Sequence, residues 1–285
     1  RPSILSIAGG EFPAAIDRYR GARRCVVRFI LTRPRLVVAC TDEIAAALCG
    51  IGVPESRVAT VSNALPLRLD PRSDQDLPPE VEDFADAHSP LIVSTSGWYD
   101  FYGSADLVTA VRELRSGYPR LGLVLMIKRG GDHGFRTRLL DLLARGDLHD
   151  AVLVREDERA VFPILRRADV FVRTPHHEGD AISVREALAV GTPVVASDVG
   201  FRPQDVVRYR PADPTDLAAR LRETLSDDGR ADEVGADVAE GERNLRYLLA
   251  TYRQSASSGD PSESPRRVMR RRLNTSRIAW YAGRM

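Results

Sequence analysis

The sequence predicts an α/β protein built from Rossmann-like, doubly wound parallel sheets, with a complete C-terminal domain and a partial N-terminal one. Three observations predict it. Short apolar runs alternate with amphipathic stretches along most of the chain, and that alternation means βαβ units with helices on both sheet faces. Turn residues such as Gly9-Gly10, Gly50 and Ser96-Gly97 punctuate the runs. The 285 residues, 43% hydrophobic and 28% charged, suffice to bury a core without disulfide staples.

In the first cycle, Ser3–Ala8 reads as a strand and Arg24–Leu31 as a helix. Leu36–Cys40 is a second strand, and Thr41 caps a helix over Asp42–Cys49 that Gly50 and Gly52 end. Arg57–Val61 is a third strand. Residues 70–80, DPRSDQDLPPE, have the composition of a linker.

The second cycle opens with a strand over Leu91–Thr95. A helix follows over Ser104–Arg115, with Leu107, Val108, Val111 and Leu114 on one face. Strands are predicted at Leu121–Ile127, Ala151–Val154, Asp169–Val172, Pro193–Ala196 and Val206–Tyr209. Helices are predicted at Phe135–Ala144, Arg159–Arg167, Ala181–Val190 and Pro214–Leu225. The expected domains are therefore 1–69, a linker over 70–84, a second domain over 85–254, and an Arg-rich tail over 255–285 that packs back as a helix, lies on a membrane surface as an amphipathic segment, or stays disordered.

Net charge is +1, so no global signal points to nucleic acid. Lys128 is the only lysine. No apolar run approaches the ~20 residues a membrane helix needs. The odd number of cysteines, Cys25, Cys40 and Cys49, suits reduced, buried thiols and a cytoplasmic protein. The chain begins with Arg1 rather than Met, so the expectation is a longer product that completes the N-terminal domain upstream, or a start that was processed or misassigned.

The chemistry concentrates in Ala168–Arg202, which reads strand, loop, helix, loop, strand. Gly179 lets the backbone approach a ligand. Asp180 lies in the loop that opens the helix, and the free amides of Ala181, Ile182 and Ser183, at the helix start, favour a phosphate or diphosphate. Glu178 precedes that helix and Glu186 lies roughly 8 Å along its axis. Carboxylates so placed suit hydroxyl groups on the two halves of a sugar nucleotide. No His and Cys cluster has metal-binding spacing, and no metal is expected.

Those residues resemble the donor-binding core of the retaining GT-B glycosyltransferases of group 1. The shared features are Ala168-Asp169, Glu178-Gly179, Glu186-Ala187, Gly191, Pro193-Val194-Val195-Ala196-Ser197 and Asp198-Val199-Gly200, with the two glutamates in E-x7-E spacing. Weaker resemblance extends over Ser3–Phe12, Leu36–Leu65 and residues 91–116. The resemblance implies a GT-B fold and transfer of a hexose, with retention, from a nucleoside-diphosphate sugar to a glycan, lipid-linked or small-molecule acceptor. It implies Glu178 beside the donor sugar, Glu186 on the ribose, and the helix amides on the diphosphate.

The chain departs from the family at Gly97–Gly103, where an Arg and a Lys usually neutralise the diphosphate and none stands here. Lys128, Arg129, Arg155 or Arg173 would then supply charge from neighbouring strand ends, beside Gly97. The competing reading is a catalytically impaired, sugar-nucleotide-binding or partner-dependent subunit; epimerases of related architecture are a third. Arginines 18, 20, 23, 24, 28, 33 and 35 form a basic run, read either as a solvated face or as contact with an anionic membrane or lipid-linked acceptor.

Overall fold

In the computed structural model, the described residues are 3–64, 76–144, 148–226 and 235–257. The chain divides into two compact units, one holding 3–63 with 243–257 and the other 64–242.

The second unit is a six-stranded parallel sheet. Its strands are β4 (Leu91–Trp98), β5 (Gly122–Gly131), β6 (Val152–Glu156), β7 (Val170–Arg173), β8 (Val194–Ser197) and β9 (Val206–Tyr209). Their spatial order is β6-β5-β4-β7-β8-β9. The chain thus winds outward from β4 in one direction, returns at β7, and winds outward in the other.

Strand side chains alternate between two cores, as a period of two requires. Ile92, Leu123, Leu125, Ile127, Val170, Val172 and Val195 face helices α5 (Ser104–Leu114), α6 (His133–Leu143) and α9 (Pro214–Ser226). Leu91, Val93, Val124, Met126, Phe171, Val194 and Ala196 face α4 (Pro79–Ala87), α7 (Val161–Arg167) and α8 (Ile182–Ala189).

The first unit has a three-stranded parallel sheet of β1 (Ile4–Ile7), β2 (Leu36–Ala39) and β3 (Val58–Thr60). Helices α1 (Phe12–Arg18), α2 (Gly21–Leu31) and α3 (Asp42–Gly50) surround it. Thr41 caps α3 as expected, its hydroxyl accepting from the Ile44 amide at 3.3 Å. Helix α10 (Gly235–Ser257) crosses the division between the units. Its Tyr247 and Leu248 pack on Leu36, Val38, Ala59 and Val61, and Asn244 donates to the Ser62 carbonyl at 3.0 Å.

Four helices depart from the sequence reading. Residues 79–84, expected as linker, belong to α4: Pro79 fits the first helical turn, where no amide donor is required, and Val81 and Ala85 bury one face. Helix α1 was not expected, and α2 starts at Gly21 rather than Arg24. Helix α10 lies where no element was predicted. The cysteines also differ: Cys40 is buried as expected, but Cys25 is exposed. The first part of the expected linker and the tail beyond 257 fall outside the described residues. No helix among the described residues is long and apolar enough to cross a membrane.

Candidate functional site

The winding of the second sheet reverses between β4 and β7, and open α/β sheets bind ligands at the carboxyl ends of strands beside such a switch point. Gly97 lies near the end of β4 and Arg173 at the end of β7. The loop after β7 leads through Glu178 and Gly179 into α8.

Glu178 is held by two arginines. Arg173 Nε donates to Oε1 at 3.0 Å and Arg173 Nη2 to the same oxygen, while Arg202 Nη2 donates to Oε2 at 3.0 Å. Both guanidiniums are also anchored by backbone. Arg173 Nη1 donates to the Thr95 carbonyl at 2.6 Å. Arg202 Nε donates to the Ser197 carbonyl at 3.0 Å and Nη1 to the Phe201 carbonyl at 3.1 Å. The side chains of Arg173, Glu178 and Arg202 are 11%, 12% and 0% exposed. Burial pulls the Arg202 guanidinium below its ordinary pKa; the Glu178 carboxylate opposes that shift and Arg173 reinforces it.

The backbone under Glu178 is tightly packed. Gly200 has φ +61°, and a Cβ there would stand 2.3 Å from the carbonyl oxygens of Glu178 and Gly179. The Phe201 amide donates to the Gly179 carbonyl at 2.8 Å. This explains a glycine at 200: the segment that follows β8 runs against the carbonyls of Glu178 and Gly179.

Ala181 sits at the start of α8, and no side chain caps the helix. Its first amides therefore point outward without an intrahelical partner. Ile182 is exposed, while the Ser183 hydroxyl accepts from Thr95 Oγ1 at 3.0 Å. Glu186 is buried inside α8, at 7% exposure. Asp180 faces inward and pairs with Arg185 at 2.8 Å, and Arg185 also reaches Glu240 at 3.2 Å. Among the sequence-predicted residues, Asp180 thus has a structural partner of its own.

Gly97 supports an aromatic ring. A Cβ at 97 would meet Tyr102 Cε2 at 2.6 Å. Tyr102 stacks against Phe101 with centroids 4.5 Å apart, and Phe101 against Tyr99 at 5.4 Å. The guanidinium carbon of Arg173 lies 5.2 Å from the Tyr102 centroid, on cation–π terms. Gly103, at φ +65°, lets the turn pass the Thr174 carbonyl, which a Cβ would approach to 2.0 Å.

The other cations are placed differently. Lys128 is exposed and adjoins Gly97 across the β4–β5 register. Arg129 meets Asp157 at 3.3 Å and Glu156 at 3.8 Å. Arg155 pairs with Glu158 at 3.0 Å and with Glu80. The structure thus gathers Glu178, Gly179, Ala181, Ser183, Arg173 and Gly97 at the switch point, and gives Arg129 and Arg155 acidic partners of their own. Sequence reasoning left Arg173 as one of four cations and gave no role to Arg202, Thr95 or the Tyr102 ring. Two signals were available: an arginine closing the apolar strand VFVR, and Phe201-Arg202 where the family motif has a second glycine. Among the described residues, no three His, Cys, Asp or Glu side chains form a metal-binding group.

Comparison with known proteins gives this arrangement a relative. Residues 89–227 match the group 1 glycosyl transferases. The matched segment holds β4 to β9 and the whole of the site above. The chain is 26% identical to the D-inositol 3-phosphate glycosyltransferase of Corynebacterium efficiens, over 64% of this chain and 46% of that protein. It is 34% identical to the phosphatidyl-myo-inositol mannosyltransferase of Mycolicibacterium smegmatis, over 44% of this chain and 33% of that one. The chain thus spans less than half the length of these curated relatives. In fold it matches GT-B glycosyltransferases. The Anabaena protein Alr3699/HepE, solved with UDP and glucose, superposes with a TM-score of 0.71 at 15% identity, over 90% of this chain and 72% of that one. A UDP-forming trehalose-phosphate synthase from Burkholderia xenovorans gives 0.70 at 15% identity, over 90% and 69%.

Proposed function

We propose that the protein is a glycosyltransferase that moves a hexose from a nucleoside-diphosphate sugar, with retention, to a glycan, lipid-linked or small-molecule acceptor. The observation that carries the reading is the E-x7-E pair set about the uncapped start of α8 at the switch point, inside the segment that matches the family. In this reading the α8 amides hold the diphosphate as it departs, which is where preorganised donors accelerate transfer. Glu178 holds the sugar and Glu186 the ribose. Transfer without a resident metal is part of the proposal. So is a cytoplasmic location.

Calorimetry of the chain against UDP, GDP and ADP tests the donor site. One of the three is expected to bind, and Glu186→Ala to weaken it at least tenfold, about 1.4 kcal/mol. Binding of none of them, or equal binding by the variant, overturns the reading.

A second reading, a subunit that binds donor without turning it over, is favoured by one observation: Tyr102 covers Gly97 where the family places its cations. Release of diphosphate from a bound donor in the presence of acceptor decides between the two.

Peripheral contact with a membrane is also part of the proposal, and helix α2 supports it. Val26, Phe29 and Ile30 are all more than half exposed, and Arg33 lies over the Phe29 ring at 4.1 Å. An apolar face among arginines suits an anionic lipid surface. Phe29→Ser with Ile30→Ser is expected to lower cosedimentation with phosphatidylglycerol vesicles several-fold. Unchanged cosedimentation removes this part.

A further inference from the structure

We propose that Arg173 supplies the positive charge to the donor diphosphate that the Gly97–Gly103 turn lacks. The inference rests on the donor-site reading above and names the residue that makes the site work without the family's basic pair.

Four cations were open from the sequence, and the structure separates them. Arg129 and Arg155 are each engaged by two carboxylates. Lys128 lies on β5, outward of Gly97, with β4 between it and the α8 start. Arg173 lies on β7, on the helix side of β4. Its Nη1 bonds to the Thr95 carbonyl at 2.6 Å, and the hydroxyl of the same Thr95 donates to Ser183 in the first turn of α8 at 3.0 Å. Two hydrogen bonds therefore link the guanidinium to the helix start.

The turn without cations carries the surface on which this one rests. Tyr102 fills the space over Gly97, and Arg173 lies over its ring at 5.2 Å. With no cation in the turn, the Tyr102 ring there gives a seat for a guanidinium arriving from β7.

The sharing of Glu178 gives Arg173 freedom to act. Arg202 has no exposed side-chain surface and is fixed by two carbonyls as well as by Glu178. Glu178 would stay in place on Arg202 alone. Arg173 is the more exposed of the two, at 11%. It can pass its Nη2 hydrogen bond from Glu178 to a phosphate oxygen and keep its Thr95 anchor. A planar guanidinium suits that bidentate exchange between carboxylate and phosphate. Arg202 is then a positioning residue for Glu178, and Arg173 a donor contact.

The test measures UDP, UMP and uridine binding (or the guanosine or adenosine series if the chain prefers it) to the wild type, Arg173→Gln, Arg173→Lys, Lys128→Gln and Glu186→Ala, with folding monitored by circular dichroism. The expected result is that Arg173→Gln weakens the diphosphate more than tenfold and the nucleoside little, and flattens the salt dependence of diphosphate binding. Arg173→Lys, which keeps the charge but not the planar fork, is expected to recover part of the loss. The phosphorus resonances of bound UDP should move in Arg173→Lys, a change that a purely structural arginine would not cause. The inference is overturned if Arg173→Gln folds and binds the diphosphate like the wild type, or if Lys128→Gln alone takes the diphosphate preference. It is also overturned if Arg173→Gln fails to fold and Arg173→Lys leaves both affinity and resonances unchanged. Failure of the donor-site reading looks different: the wild type then binds no nucleotide, or Glu186→Ala binds as well as it does.

Discussion

Glu178→Ala is expected to destabilise the second unit by about 3 kcal/mol, the range found when one partner of a buried ion pair is removed. Two guanidiniums converge on this carboxylate, one of them with no exposed side-chain surface. Truncation leaves both charges in a site from which water is largely excluded, and Arg202 cannot turn to solvent without giving up its carbonyl anchors. Glu178→Gln should cost less. Its amide oxygen still accepts from one arginine, while its amide nitrogen faces the N–H groups of the other. Adding Arg173→Leu to Glu178→Ala should recover part of the loss, because one unpaired charge then leaves the site. Urea unfolding of the four proteins, followed in the transition of the second unit, measures this. A Glu178→Ala variant within about 0.5 kcal/mol of the wild type, the scatter of ordinary surface substitutions, would show that water reaches the cluster freely.

The same cluster shows how much of the molecule was legible beforehand. Every strand of both sheets could be read as an apolar run, most directly the central strands β2, β7 and β8, which are buried on both faces and have no polar side to disguise them. The residues of the donor motif were legible for a different reason: Glu178, Gly179, Ser183 and Glu186 are neighbours on one loop and one helix, so spacing alone places them. What could not be read is what joins distant segments. Arg173 meets Thr95 across 78 residues, and Arg202 meets Glu178 from beyond the next strand. No local pattern specifies either contact. The missed helices follow the same logic. In α4, two prolines and a run of acids resemble a linker until Val81 and Ala85 are seen against the sheet. In α10, Gly235 and Gly241 weaken the helical signal, and the partners of Tyr247 and Leu248 lie between residues 36 and 61, at the other end of the sequence.

Gly200→Ala is expected to be among the most damaging single-methyl additions in the second unit, at about 2–4 kcal/mol. Two effects combine. A non-glycine residue held at φ +61° costs roughly 1–2 kcal/mol. The new methyl would also stand 2.3 Å from two carbonyl oxygens, and overpacking of that kind costs typically ~1–3 kcal/mol. Gly130→Ala separates the two effects, because Gly130 also has a positive φ, +85°, but a Cβ there meets nothing within 4 Å. It should show the conformational cost alone. Relief of the clash at 200 requires the Glu178–Gly179 backbone to retreat, which breaks the Phe201–Gly179 hydrogen bond and withdraws Glu178 from its arginines. Gly200→Ala should therefore lose both stability and nucleotide affinity, while Gly130→Ala loses only the smaller share of stability. If the two variants unfold at the same urea concentration, the close passage at 200 is not what requires glycine there, and the positive φ is the whole reason.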